Sequence, residues 1–172
     1  MGKIYCVMGK SSSGKDTVYK KLKEQYKEFR LIVPYTTRPI REGEKDGVEY
    51  YFVSEDRFCE MKESKKVIEA RSYNTKCGIW TYFTADDGQI DLSAADYLLI
   101  GTLVSYQALR EYFGEEAIVP VYLEVEDGLR LARALERERR QEKPKYAEMC
   151  RRFLADEEDF SEENLIKSGI TE

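Results

Sequence analysis

Gly9-Lys-Ser-Ser-Ser-Gly-Lys-Asp-Thr17 is the stretch on which the reading of this chain turns. It follows Lys3-Ile-Tyr-Cys-Val-Met8, an apolar run with the character of a buried strand. It precedes Val18 to Tyr26, where Val18, Leu22 and Tyr26 recur at helical spacing. Strand, glycine-rich turn and helix form the setting that a phosphate-binding loop requires. Gly9 and Gly14 let the backbone curl so that its N–H groups point inward, and the helix N-terminus adds partial positive charge there. Lys15 then sets a full charge against the outer phosphates of a nucleotide. The expected phosphate-binding set is Gly9, Ser11, Ser12, Ser13, Gly14, Lys15, Asp16 and Thr17. A hydroxyl normally follows Gly-Lys and binds magnesium; here Asp16 stands in that place, and a carboxylate can hold Mg2+ directly or through water.

A chain of 172 residues is long enough for one domain with its own core, and 42% hydrophobic with 35% charged residues fits a globular protein. No apolar run is long enough to cross a bilayer, and the first strand begins at once, so a cytoplasmic location without a signal peptide is expected. The net charge of −5 argues against broad nucleic-acid binding but not against a small anion held by local arginines. Cys6, Cys59, Cys77 and Cys150 are scattered and form no CxxC pair, so neither a zinc site nor a disulfide framework is implied. The absence of histidine removes Ser-His and Cys-His machinery. Phosphoryl transfer between nucleotides survives that loss, because an ionised phosphate oxygen is already a nucleophile and catalysis rests on positioning and charge neutralisation.

Along the chain, Leu31–Val33 reads as a second strand, Val48–Val53 as a short one, and Ser54 as the cap of a helix carrying Phe58 and Met61. Val67–Ala70 and Ile79–Thr84 read as two more strands, while 85–95 holds no convincing helix. Asp96–Ile100 is the next core strand. Thr102 caps a helix that runs to Phe113 and stops at Gly114. Ala117–Val125 is a strand whose Pro120 places its first part at an edge or outside the sheet. A helix from Asp127 sets Leu129, Ala132 and Leu135 on its apolar side and Arg130, Arg133, Arg137, Arg139 and Arg140 on the other. A further helix covers Tyr146–Phe160, and Asn164–Ile170 is at most a weak final strand. Strands alternating with helices imply a parallel sheet covered on both faces, with ligands beyond the carboxyl ends of its strands. Gly9, Thr36–Arg38 and Gly101-Thr102 all fall at such ends.

Tyr35-Thr-Thr-Arg-Pro-Ile-Arg-Glu-Gly-Glu-Lys-Asp-Gly-Val-Glu-Tyr-Tyr-Phe-Val-Ser54, together with the loop at 9–17, closely resembles the guanylate kinase family over about residues 1–160. The resemblance implies an α/β P-loop NTPase fold: a three-layer sandwich with a parallel central sheet, a strand-rich NMP-binding insertion and an arginine-bearing helical lid. It divides the single domain into a core of 1–33 and 96–172, an insertion of 34–84 and a lid of about 133–150. It implies ATP and Mg2+, transfer of the γ-phosphoryl group to GMP, small-molecule nucleotides as partners, no nucleic acid or membrane, and a monomer or small homo-oligomer.

Carried over by position, Arg38, Arg41 and Tyr50 hold the acceptor phosphate, and two guanidinium forks with a phenol suit a phosphate dianion. Glu69 reads the guanine edge, whose two adjacent N–H donors a carboxylate matches. Tyr82 and Thr84 match the family's tyrosine and serine near the acceptor, and Thr102 joins the acceptor set. Lys15, Arg38, Arg137 and Arg152 form the expected catalytic set, with Arg140 on ATP and Asp16 as the metal ligand. Two positions depart from the family: Pro34 replaces a serine that contacts the base, and the third core strand ends Leu99-Ile-Gly-Thr102 without the family's aspartates. They leave open a kinase of the same family with another acceptor (a different NMP or dNMP, or a phosphosugar), or a non-catalytic guanylate kinase-like binding module.

Overall fold

The computed structural model describes residues 1–75 and 78–170, so Cys77 lies outside the described residues. Four strands build the core sheet: β1 (Ile4–Met8), β2 (Arg30–Leu31), β7 (Tyr97–Ile100) and β8 (Ile118–Tyr122). They run parallel in the order β2-β7-β1-β8. The second, seventh and eighth strands are shorter than the apolar runs that suggested them, because pairing stops where the chain turns away into loops. Ile32, just past β2, is nevertheless buried.

The parity of the strands separates the two faces. Ile4, Cys6, Met8, Tyr97 and Leu99 share one core cluster with Leu103, Tyr106 and Leu109 of α3 (Leu103–Phe113). Val7 and Leu98 are buried on the opposite face. On that side Tyr5 stacks on Phe29, just beyond α1 (Lys15–Gln25). The sheet is therefore the middle of three layers. Thr102 caps α3 as its sequence predicted, in a reciprocal capping box with Ser105.

Pro120 sits in β8, which pairs only with β1 and so ends the sheet. Leu123 donates its N–H to Met8 O. Alternation along the strand then turns the N–H groups of Val121 and Val119 toward β1 and the ring of Pro120 outward. The missing donor costs the ladder nothing.

A second sheet is inserted between β2 and β7. It has the order β4-β3-β6-β5, from β3 (Tyr35–Thr36), β4 (Tyr51–Phe52), β5 (Val67–Thr75) and β6 (Gly78–Ala85). α2 (Glu55–Glu63) packs Phe58 and Met61 onto Phe83 and Ala85 to give this sheet a core of its own. No helix forms over 86–96, as read. That loop satisfies backbone N–H groups of its own with side chains, Gln89 N–H donating to Asp87, Asp91 N–H to the Tyr97 hydroxyl and Ser93 N–H to Asp91, while the Gln89 side chain accepts the Val33 N–H beside β2.

Two expectations fail at the C-terminal end. The apolar side predicted for α4 (Asp127–Arg139) is reversed: Arg130, Ala134 and Glu138 are buried, and Leu129 is exposed. Carboxylates waiting for the Arg130 guanidinium decide the helix's rotation. Residues 164–170 form no strand. α5 (Tyr146–Asp159) is followed by α6 (Glu162–Lys167), which Ser161 caps by accepting the Asn164 N–H, with Glu162 and Glu163 in its first turn. Among the described residues no helix is long and apolar enough to cross a membrane.

Candidate active site

The loop at 9–17 leaves the end of β1 and closes into α1. Gly14 takes φ +92 and Ser12 φ +62, which curls the backbone. A Cβ at Gly9 would lie 2.7 Å from Ser13 Oγ and 2.9 Å from Leu123 O, so only glycine fits there. Gly14 offers no side-chain cap, and the first N–H groups of α1 stay open to a ligand. Ser12 Oγ and Ser13 Oγ are buried without a hydrogen-bond partner. Leaving such a hydroxyl unsatisfied costs about 1–3 kcal/mol. An anion with several acceptor oxygens is the group that relieves this. Lys15 is half-buried, Asp16 and Thr17 are exposed, and among the described residues Lys15 enters no ion pair.

The outer half of the loop is held by α4 and α5. Arg130, 1% exposed, donates through Nε and Nη2 to Asp127 Oδ1 at 3.1 and 2.6 Å, through Nη2 to Glu157 Oε1 at 2.6 Å, and through Nη1 to Ser11 O at 3.2 Å. Its guanidinium lies over the Phe153 ring. Lys10 Nζ also reaches Glu157 at 2.7 Å, and Asp156 Oδ2 accepts the Ser11 N–H at 2.7 Å. Sequence reasoning missed Arg130, since an arginine among leucines on a helix is ordinarily a solvated face.

Of the lid candidates, Arg137 and Arg152 line a crevice together with Ser11, Ser12 and Phe153. Arg140 does not join them: it is exposed and pairs with Glu136 one turn back on its own helix. Arg151 and Arg152 share Glu148, whose carboxyl they hold down to about 2. A larger cleft of about 480 Å³ opens beyond the end of β8, between Lys10, Leu123, Glu124, Asp127 and Arg130.

On the inserted sheet, Arg38 is buried and forked onto Glu44, with Nη1–Oε2 at 2.8 Å and Nη2–Oε1 at 2.6 Å. The guanidinium lies 5.2 Å from the Tyr50 ring centroid and 5.3 Å from that of Phe52. Tyr82 packs edge-on against Tyr50. Arg41 is exposed, and it is its backbone N–H that meets Glu44. Glu69 and Thr84 are opposite one another in the β5–β6 ladder, and the Thr84 hydroxyl donates to Glu69 Oε1 at 2.9 Å. Arg71, absent from the sequence-based set, donates to Glu69 and to Thr102 Oγ1. It ties the inserted sheet to the end of β7. β7 in turn lies beside β1, whose end leads into the loop. The loop and the Arg38 cluster thus belong to one connected framework.

The Arg38 guanidinium, and after it the Arg41 N–H, pull the Glu44 carboxyl from 4.5 to about 2. A folded-state value below the unfolded one stabilises the fold above the unfolded value, and the contribution is lost as pH falls toward the folded value. Glu44→Gln should therefore unfold at lower urea than the wild type at neutral pH. The gap between the two midpoints should close between about pH 4.5 and about pH 2. A gap independent of pH would remove this charge pair from the stability of the insertion.

The model of the family described as Guanylate kinase matches residues 1–79. The guanylate kinase of Legionella pneumophila is 42% identical over 74 residues, 42% of this chain and 35% of that protein. Guanylate kinase 2, chloroplastic/mitochondrial, of Oryza sativa subsp. japonica is 34% identical over 116 residues, 67% of this chain and 40% of that protein. The chain thus spans about two fifths or less of the length of these curated relatives. The crystal structure of guanylate kinase from Anaplasma phagocytophilum superposes with a TM-score of 0.55 at 24% identity, over 78% of this chain and 67% of that one. This likeness shows the fold, an α/β architecture with a parallel central sheet.

Proposed function

The chain is related to the guanylate kinase family, and on that footing we propose that it transfers the γ-phosphoryl group of ATP to GMP. One observation carries the reading. A loop with buried, unpartnered hydroxyls and a buried arginine clamp belong to two sheets that Arg71 and Thr102 tie together. In this reading Gly9, Ser11 to Gly14, Lys15 and Thr17 cradle the ATP phosphates, with Arg137 and Arg152 covering them from α4 and α5. Arg38, Arg41, Tyr50 and Tyr82 hold the acceptor phosphate, while Glu69, Thr84 and Thr102 face the base.

The domain divides accordingly into a core of 1–33 and 96–172, an insertion of 34–84 and a lid of about 133–150. An ionised oxygen of the acceptor phosphate forms a bond to the γ-phosphorus as the bond to the β-phosphate bridging oxygen breaks, leaving ADP. Lys15, Arg137 and Arg152 neutralise charge on the moving group, and closure of the insertion excludes water. Asp16, a lone carboxylate at the second position of α1, suits Mg2+, which takes one or two carboxylates besides substrate phosphates. When bound, that ion offsets charge on the β- and γ-oxygens. The setting we propose is cytoplasmic, as a monomer or small homo-oligomer.

ADP formation measured with GMP, dGMP, AMP, CMP, UMP and dTMP as acceptors tests the assignment, with GMP expected to lead. Preference for another acceptor would move the substrate within the same chemistry. No ADP with any acceptor, joined to no calorimetric heat with MgATP, would make the chain a binding module. Arg38→Ala should lower kcat/KM for the acceptor at least about a hundredfold, the order expected for one preorganised charged donor. Near-normal kinetics would release Arg38 from that role.

A further inference from the structure

Asp156 has no part in the assignment above, yet it touches the loop at 9–17 directly. From α5 its Oδ2 accepts the Ser11 N–H at 2.7 Å, while Arg130 of α4 donates through Nη1 to the Ser11 carbonyl at 3.2 Å. Both backbone groups of one residue are held by side chains of opposite charge from two helices. Arg133 Nη1 reaches the next carbonyl, that of Ser12, at 3.4 Å. Arg130 Nη1 stands 3.7 Å from Asp156 Oδ2, beyond hydrogen-bond reach, whereas Asp127 and Glu157 each meet its Nη2 at 2.6 Å. The short contact of Asp156 is with the loop rather than with the arginine. Its side chain is 16% exposed, so little water competes for that bond.

The consequence falls on the residues that follow. The Ser13 N–H donates to Lys10 O at 3.2 Å, so residues 10–13 close a turn with Ser11 and Ser12 at its centre. Ser12 takes φ +62, a value that at the third position of a turn favours glycine or asparagine. A serine keeps such a conformation only where its surroundings over-determine it. Asp156 fixes the peptide plane before Ser11 and Arg130 the plane after it, which bars the flip that would relax the turn. On the far side of this turn lie the two hydroxyls, Ser12 Oγ and Ser13 Oγ, that are buried without a partner.

We propose that Asp156 is a positioning residue for the triphosphate site: by holding the Ser11 N–H it fixes the turn that presents the Ser12 and Ser13 hydroxyls to the phosphates of ATP. The proposal rests on the kinase reading of the same loop. Asp156 itself meets no phosphate and acts through Ser11. An acid that only balances the charge of Arg130 needs its own charge. One that holds an N–H needs an acceptor oxygen, which the amide of asparagine also supplies.

The test measures KM for MgATP and for GMP, and the calorimetric Kd for MgATP without acceptor, in the wild type, Asp156→Ala, Asp156→Leu and Asp156→Asn. KM and Kd report folded molecules, so partial unfolding lowers the apparent kcat without imitating the result. Asp156→Leu keeps the bulk of the side chain in case alanine loosens α5. Alanine and leucine should each raise KM and Kd for MgATP about tenfold, the scale of one hydrogen bond to a charged group, and leave KM for GMP within about twofold. Asp156→Asn should return MgATP binding to within about threefold of the wild type, since a neutral acceptor keeps the bond at lower strength. Unchanged MgATP affinity in the alanine and leucine variants would overturn the role of Asp156 and leave the kinase reading intact. So would an equal rise in both KM values, or an asparagine variant as impaired as the alanine one. A wild type that binds no MgATP would overturn both.

Discussion

Lys15→Ala is expected to abolish phosphoryl transfer and leave the fold standing. Lys15 opens α1 directly after the left-handed Gly14 and enters no ion pair among the described residues, so its removal strips no partner of its charge. Its contribution is to the transferring group, where negative charge grows on oxygens that the loop's N–H donors alone cannot balance. A loss of about a thousandfold or more in kcat corresponds to about 4 kcal/mol of transition-state stabilisation. ADP release at saturating nucleotides gives kcat, and urea unfolding of the same variant gives the control. Turnover within tenfold of the wild type would mean that the loop does not carry the reacting phosphates.

Arg130→Ala should act through the fold. Its guanidinium is the shared partner of Asp127 and Glu157, lies 3.7 Å from Asp156, and also holds the Ser11 carbonyl. Truncation leaves three carboxylates crowded around a void, with Lys10 the one cation paired to them among the described residues. The guanidinium is buried but Asp127 and Glu157 are partly exposed, so the loss should stay below the cost of breaking a fully buried pair, at about 1–3 kcal/mol, still a sizeable share of the 5–15 kcal/mol that usually holds a domain together. The urea midpoint should fall accordingly. Arg130→Lys should recover part of the loss, since one ammonium cannot serve both carboxylates and the Ser11 carbonyl with fork geometry. A change below about 1 kcal/mol in Arg130→Ala would show that the cluster does not anchor the loop.

The parts of the fold that announce themselves in the sequence are those governed by local chemistry. Gly9 and Gly14 mark a turn with constrained backbone, Thr102 and Ser54 are caps, Gly114 is a stop, and Pro120 belongs at an edge. Features decided by tertiary partners stay hidden. Helical periodicity assigns Leu129 to the core and Arg130 to water, and the carboxylates of α5, acting with Asp127 on the same helix, reverse that order. The segment after Asp159 has the apolar content of a weak strand, yet the Ser161 cap and the acids behind it start a helix. Arg71 escaped notice although a signal was present. Once Glu69 is placed on a strand, the residue two positions on must share its face. The arginines on α4 illustrate the converse, because residue type alone does not separate Arg137, beside the loop, from Arg140, paired with its own helix.

The outward ring of Pro120 bears on how the protein behaves when crowded. A bare flank of a parallel sheet is a template onto which a neighbouring molecule's strand can zip, and runaway growth of that kind ends in fibres or precipitate. At β8 the incoming strand would meet a gap midway along the rail, where no hydrogen is available to share. Replacing the imino acid with valine, a better strand former, would restore the rail and invite self-association. Light scattering of concentrated Pro120→Val against the parent should reveal it.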